Sequence, residues 1–123
     1  MSKPLQIKWQ DEPEDHNYPA ALSYLTLLFE ESDARALVEK LRSAPLSGFK
    51  AKDILRASGL SLLPINNARV ESNREKISSG VALSPILLVR DTARGKVILV
   101  DGYHRLSAVY SLDENALMSC KIV

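Results

Sequence analysis

Asp101, Gly102, Tyr103, His104 and Arg105 stand together in the stretch LVDGYHRLSAVY, where an apolar strand-like run stops at an acid and a glycine and a helical pattern begins at once. A strand that turns directly into a helix exposes backbone N–H groups that lack intrahelical partners, at the positive end of the helix dipole. An anion fits there. Arg105 adds a planar fork suited to phosphate or carboxylate, and His104 can donate a hydrogen bond or move a proton near neutral pH. Gly102 is expected to spare an approaching ligand the crowding of a Cβ. Together these residues sketch a phosphate cradle. Each also has a plainer use: Asp101 as a helix cap, His104 as a hydrogen-bonded structural histidine, Arg105 as the partner of Glu114 or of a carboxylate in the tail. Their meeting on one turn favours the cradle.

Three other places carry reactive side chains. PEDHNYP holds Glu14, Asp15 and His16, which could ligate a metal or serve as acid and base. Ligands so nearly contiguous seldom share one coordination sphere, so the expectation is a solvated acidic lead-in capping the first helix. Should that lead-in fold over the cradle, its acids are the first to test. In LPINNARVESNREK, Asn67 and Arg69 lie on a loop between two helices, where turn chemistry alone also accounts for asparagine. Cys120, the single cysteine, rules out an internal disulfide. It alternates with Met118 and Ile122 along a strand, which reads as a buried structural thiol.

The elements that must hold these residues are legible from periodicity. YPAALSYLTLLFEE places Ala21, Leu25, Leu28 and Phe29 near one helical face, with Asn17 as N-cap and Pro19 in the first turn. SDARALVEKLRSAP predicts a second helix from Ser32 or Asp33, with Ala34, Leu37, Val38 and Leu41 inward and Pro45 as its stop. FKAKDILRASGL reads as a third helix ended by Gly59, and residues 70–79 as a fourth. After Gly80 come ILLVRD and KVILVD, two antiparallel strands joined by the turn TARG. The helix that starts at the cradle carries Leu106, Val109, Tyr110 and Leu112 on its apolar side, and LMSCKIV closes the chain as a strand. The predicted fold class is α+β, a helical N-terminal half over residues 18–60 followed by a small mixed β-sheet with a strand-turn-helix phosphate-binding junction. Residues 1–17 read as an irregular lead-in anchored by Trp9.

A chain of 123 residues forms one domain, and a composition of 46% hydrophobic and 25% charged residues is that of a globular protein. A net charge of +1 argues against strong attraction to nucleic acid. The absence of a signal-peptide core and of a long apolar run predicts a cytoplasmic protein with no membrane partner.

From about residue 77 to the end, the chain resembles the ParB/sulfiredoxin superfamily, in which a two-strand hairpin leads to a Gly-x-x-Arg turn at the start of a helix and a further strand follows. The resemblance implies that Gly102, Tyr103, His104 and Arg105 face the phosphates of a nucleotide, that Asp101 assists through a metal ion or a hydroxyl, and that Asp101 or His104 is catalytic in the phosphoryl chemistry. Asn67 and Arg69 would come from the preceding segment, by a fainter likeness to ParB. ATP, ADP and CTP all qualify as the nucleotide, with magnesium to balance the phosphate charge. Sulfiredoxins carry their cysteine just before the His-Arg pair; Tyr103 stands there and cannot act as that nucleophile. ParB proteins carry Gly-Glu-Arg-Arg and continue into a helix-turn-helix, which this sequence lacks after its last helix. The turn is most similar to the Asp-Gly-His-His-Arg of free serine kinases, which implies phosphoryl transfer from a nucleotide to a small hydroxyl compound. The alternative is a noncatalytic regulatory or protein-interaction module that kept the fold. DNA binding ranks third.

Overall fold

The unbroken apolar run Ile86, Leu87, Leu88, Val89 is the centre of the computed structural model, which describes residues 6–123; the first five residues of the expected lead-in lie outside it. An apolar run without alternation is what a strand covered on both faces requires. Strand β2 (Ile86–Asp91) sits inside a four-stranded sheet of order β1-β4-β2-β3, with β1 (Ser47–Lys50), β3 (Lys96–Asp101) and β4 (Leu117–Ile122). It runs antiparallel to β3 and parallel to β4, and β4 pairs antiparallel with β1. The sheet is therefore mixed, as expected, and the fold is α+β with five helices among the described residues.

Successive residues of β2 and β3 serve two separate cores. Leu87, Val89 and Val100 face α1 (Asn17–Leu25) and α2 (Glu31–Ser43), meeting Tyr18, Ala21, Leu25, Ala34, Val38 and Leu41. Ile86, Leu88 and Leu99 face α3 (Ala51–Ser58), α4 (Ala68–Ser78) and α5 (Tyr103–Leu112), meeting Ile54, Val70, Ile77, Leu106 and Val109. The first two helices thus complete a second core on one face of the sheet. Among the described residues no helix is long and apolar enough to cross a membrane.

Several boundaries differ from the sequence expectation, each for a local reason. The stretch expected as one helix from Phe49 begins instead as β1, because Ser47 to Lys50 find a partner in β4 far along the chain; the N-terminal half is consequently not purely helical. Asn17 does not cap α1: it is the first helical residue, buried, and its Nδ2 donates to Ser84 Oγ at 2.5 Å. Helix α1 ends at Leu25, which leaves Leu28 exposed rather than inward. Helix α2 starts at Glu31, one or two residues early, with no side-chain cap at Glu30. Helix α4 starts at Ala68, where Asn67 Oδ1 accepts from the backbone N–H groups of Arg69 and Val70.

The passage from β3 into α5 rests on one close approach. Gly102 has φ 112°, a left-handed value that favours glycine, and a Cβ there would overlap Ile86, coming within 2.7 Å of its Cβ. The register shifts just before this point, Leu88 facing Leu99 but Leu87 facing Asp101, so β3 carries one extra residue at its end and bends toward α5. Gly102→Ala is expected to lower unfolding free energy by about 2–4 kcal/mol in urea denaturation, from backbone strain and overpacking combined. Ile86→Ala in the same chain should relieve the steric part, so that the double variant loses less than the two single losses added together.

Cys120 is fully buried on β4 and its Sγ lies 3.5 Å from the Ser47 carbonyl oxygen, as the expected structural thiol would be. Burial pushes the thiol from its ordinary 9.0 up to about 11, with Arg90 acting weakly in the opposite direction. The unfolded chain then releases this proton before the folded one does. Its contribution to stability is whole below pH 9.0 and is lost as pH rises toward 11. In the native protein at pH 8 the thiol should react with a disulfide reagent only at the rate of global unfolding, and at once in denaturant.

Candidate functional site

The uncapped start of α5 opens into a cleft of about 530 Å³. Its walls come from three directions. Asp101, Gly102, His104 and Arg105 line it from the β3–α5 junction; Arg69, Ser72, Asn73 and Lys76 from α4; Gln10, Glu14, His16 and Asn17 from the lead-in and the first turn of α1. Val81, Ala82, Leu83 and Ser84 form the strip between the last two walls.

Helix α5 has Gly102 as its N-cap and no side-chain cap, so Asp101 does not take the capping role. Its carboxylate instead accepts from Arg105 Nη2 at 2.9 Å, and both side chains are mostly buried, at 16% and 19% exposure for Arg105 and Asp101. Arg105 pairs within its own turn and not with Glu114. Its Nε is buried without a hydrogen-bond partner. An arginine held at one edge by a carboxylate, with another donor unsatisfied, is oriented but not saturated. Gly102 is required by Ile86 and by its backbone angle, which replaces the expectation that its missing Cβ makes room for a ligand.

His104 lines the cleft with a pKa below its ordinary 6.5. Partial burial is the largest cause, and the positive charges of Arg69 and Arg105 add to it, while Asp101 acts in the other direction. The imidazole is therefore neutral at pH 7 and able to accept a proton or a hydrogen bond.

The expected residues do not all converge. Tyr103 turns away from the cleft, its hydroxyl donating to the Ser61 carbonyl, so it ties α5 to the loop before α4. Asn67 spends its carbonyl on capping α4, which places Arg69 in the first turn at the cleft edge without itself lining the wall. Arg69 does line it. Asp15 does not, whereas Glu14 and His16 do, because the lead-in folds over the cradle.

Lys76, Ser72, Asn73, Gln10 and Ser84 were not anticipated. Asn73 and Lys76 carried a readable signal: with Arg69 they are spaced four and three apart, which puts them on one helical face. Nothing local in the sequence marks Gln10 or Ser84.

Among the described residues no group of three or more His, Cys, Asp or Glu side chains could hold a metal ion. Glu14 and Asp101 are the carboxylates that line the cleft, with Asp101 Oδ2 taken by Arg105; a magnesium ion carried in with a nucleotide needs only one or two carboxylates beside the phosphates. Positive charge at this site comes from Arg69, Lys76 and Arg105.

The His104 assignment has a direct check. Its ring-proton NMR titration should have a midpoint below 6.5. Arg69→Ala should raise that midpoint by removing a repelling charge, and Asp101→Asn should lower it further. A group whose folded pKa is depressed adds stability above its unfolded value and loses it as pH falls, so His104 destabilises the fold only below pH 6.5.

Comparison of the chain with protein-family models, with curated proteins and with solved structures finds no match.

Proposed function

We propose that this protein binds a nucleotide by its phosphates in the cleft at the start of α5 and transfers a phosphoryl group to a small hydroxyl compound. The observation that carries the reading is the convergence of Arg69, Lys76 and Arg105 on one cleft that also receives the uncapped N-terminus of a helix. Three cations and a set of free N–H groups suit a ligand with several negative charges. A cleft of about 530 Å³ lies in the size range of small-molecule sites. The resemblance of DGYHR to the free serine kinase turn supplies the reaction class, and ATP, ADP and CTP are the nucleotides to try.

In this reading Arg105, steadied by Asp101, and the N–H groups at Gly102 and beyond take the phosphate nearest the helix, while Arg69 and Lys76 take charge from the α4 side. His104, neutral among guanidinium groups, is a hydrogen-bond partner for a phosphate oxygen beside the reacting phosphorus. The engagement of Asp101 by Arg105 favours a second reading, in which the domain binds nucleotide for regulation without turnover.

Thermal unfolding with millimolar ATP, ADP or CTP tests the binding. A nucleotide at tenfold its Kd stabilises by about 1.4 kcal/mol, which for a domain of this size raises Tm by roughly 5 °C. Arg105→Ala should abolish the rise. Arg69→Ala with Lys76→Ala, both exposed side chains, should weaken binding at least tenfold by about the loss of two charge-assisted contacts while leaving the unliganded Tm in place. No rise with any nucleotide in folded protein overturns the reading. Release of ADP or AMP that depends on an added hydroxyl compound separates catalysis from regulatory binding.

A further inference from the structure

Resting on the phosphoryl-transfer reading, we propose that His16, oriented by Glu14, accepts the proton of the substrate hydroxyl. The chain has two histidines, and both line the same cleft: His104 on α5 and His16 on the wall made by the lead-in. His16 Nε2 lies 3.2 Å from Glu14 Oε2, and Glu14 Oε1 accepts from Gln10 Nε2 at 3.1 Å, so the carboxylate is held at both oxygens. A carboxylate at Nε2 selects the tautomer with the proton on that nitrogen and leaves the Nδ1 lone pair free. A base oriented by a third group is the arrangement that activates a hydroxyl.

The wall that carries this pair is fixed. Gln10 N–H donates to the Leu83 carbonyl at 2.8 Å, and Leu83 N–H donates to the Lys8 carbonyl at 2.9 Å. Ser84 Oγ then accepts from the Glu14 backbone N–H at 3.1 Å and from Asn17 Nδ2 at 2.5 Å, on either side of His16 in sequence. Glu12 adds a 3.0 Å pair to the buried Lys121 on β4. The imidazole itself is open, with 75% of its side chain exposed, and a substrate can reach it.

Arg105 occupies Asp101 Oδ2, and His104 sits beside Arg69 and Arg105, whose charges suit it to the phosphate side. The charged and titratable groups lining the cleft with His16 are Glu14, Arg69, Lys76, Asp101, His104 and Arg105. In the step, the hydroxyl oxygen bonds to the terminal phosphorus as its proton passes to His16 Nδ1. The bond from phosphorus to the bridging oxygen breaks, and its electron pair leaves with the shortened nucleotide. His16 afterwards gives the proton to water.

The test is hydroxyl-dependent turnover of ATP and ADP by the full chain, alongside nucleotide binding by thermal shift. His16→Ala should lower kcat by about a hundredfold or more, keep the nucleotide-induced Tm rise, and recover part of the loss when imidazole is added to the buffer. Glu14→Gln should lower kcat less, and Asp15→Asn, whose side chain is outside the cleft, should turn over at the original rate. Full activity in His16→Ala, a loss that imidazole does not restore, or nucleotide binding without any turnover each overturns the role of His16 while leaving the binding site in place. Absence of any Tm rise in the unsubstituted protein overturns the nucleotide reading itself and this role with it.

Discussion

The contact between Gly102 and Ile86 is the constraint on which the rest of the molecule depends. Ile86 fills the space a side chain at position 102 would need, and the backbone turns with φ 112° at the same place. With that approach permitted, β3 ends and α5 begins without an intervening loop, so the strand end and the helix start share one turn. Asp101 and Arg105 then fall four residues apart across the junction and pair. A longer connection would have separated the acid from the arginine and let water or a side chain satisfy the helix start.

Electrostatics decides what this turn can do. The cleft gathers Arg69, Lys76 and Arg105 against Glu14 and Asp101, in a protein of net charge +1. Three cations against two carboxylates leave the cleft a single positive charge, so what suits it to an anion is the placement of the cations on the α4 and α5 walls and not their excess. Pairing Arg105 with Asp101 offsets part of the cost of burying both, and the same pair removes Asp101 from use as a free base. Arg69 and Arg105, together with burial, keep His104 neutral. Each wall thus has a separate job: α4 and α5 bring positive charge, and the lead-in brings a carboxylate and an imidazole.

The two cores explain how a small chain holds three walls in register. Because β2 is buried on both faces, α1 with α2 and α3 with α4 and α5 are fixed against the same strands from opposite sides. The lead-in is then pinned to the strip before β2 by the Trp9–Leu83 bridge and by Ser84. Lys121, buried on β4, reaches both Glu12 and the Arg42 carbonyl, linking the lead-in to the end of α2.

Local pattern was enough to reveal the hairpin, the closing strand, the helix after DGYHR, the inward faces of α2 and α5 and the buried Cys120, because periodicity and turn chemistry act over a few residues. Within the site, His104, Arg105 and Arg69 were legible for the same reason: each sits at or next to a helix start. Tertiary structure alone decided that Ser47 to Lys50 form an edge strand, since their partner in β4 lies some seventy residues away. It alone turned Tyr103 to the Ser61 carbonyl and set Glu14 and His16 over the cleft through Ser84, a serine with no distinguishing neighbours in sequence. Hydrogen bonds between distant segments leave no periodic trace, so the composition of a cleft built from three parts of the chain becomes visible only once the sheet has brought those parts together.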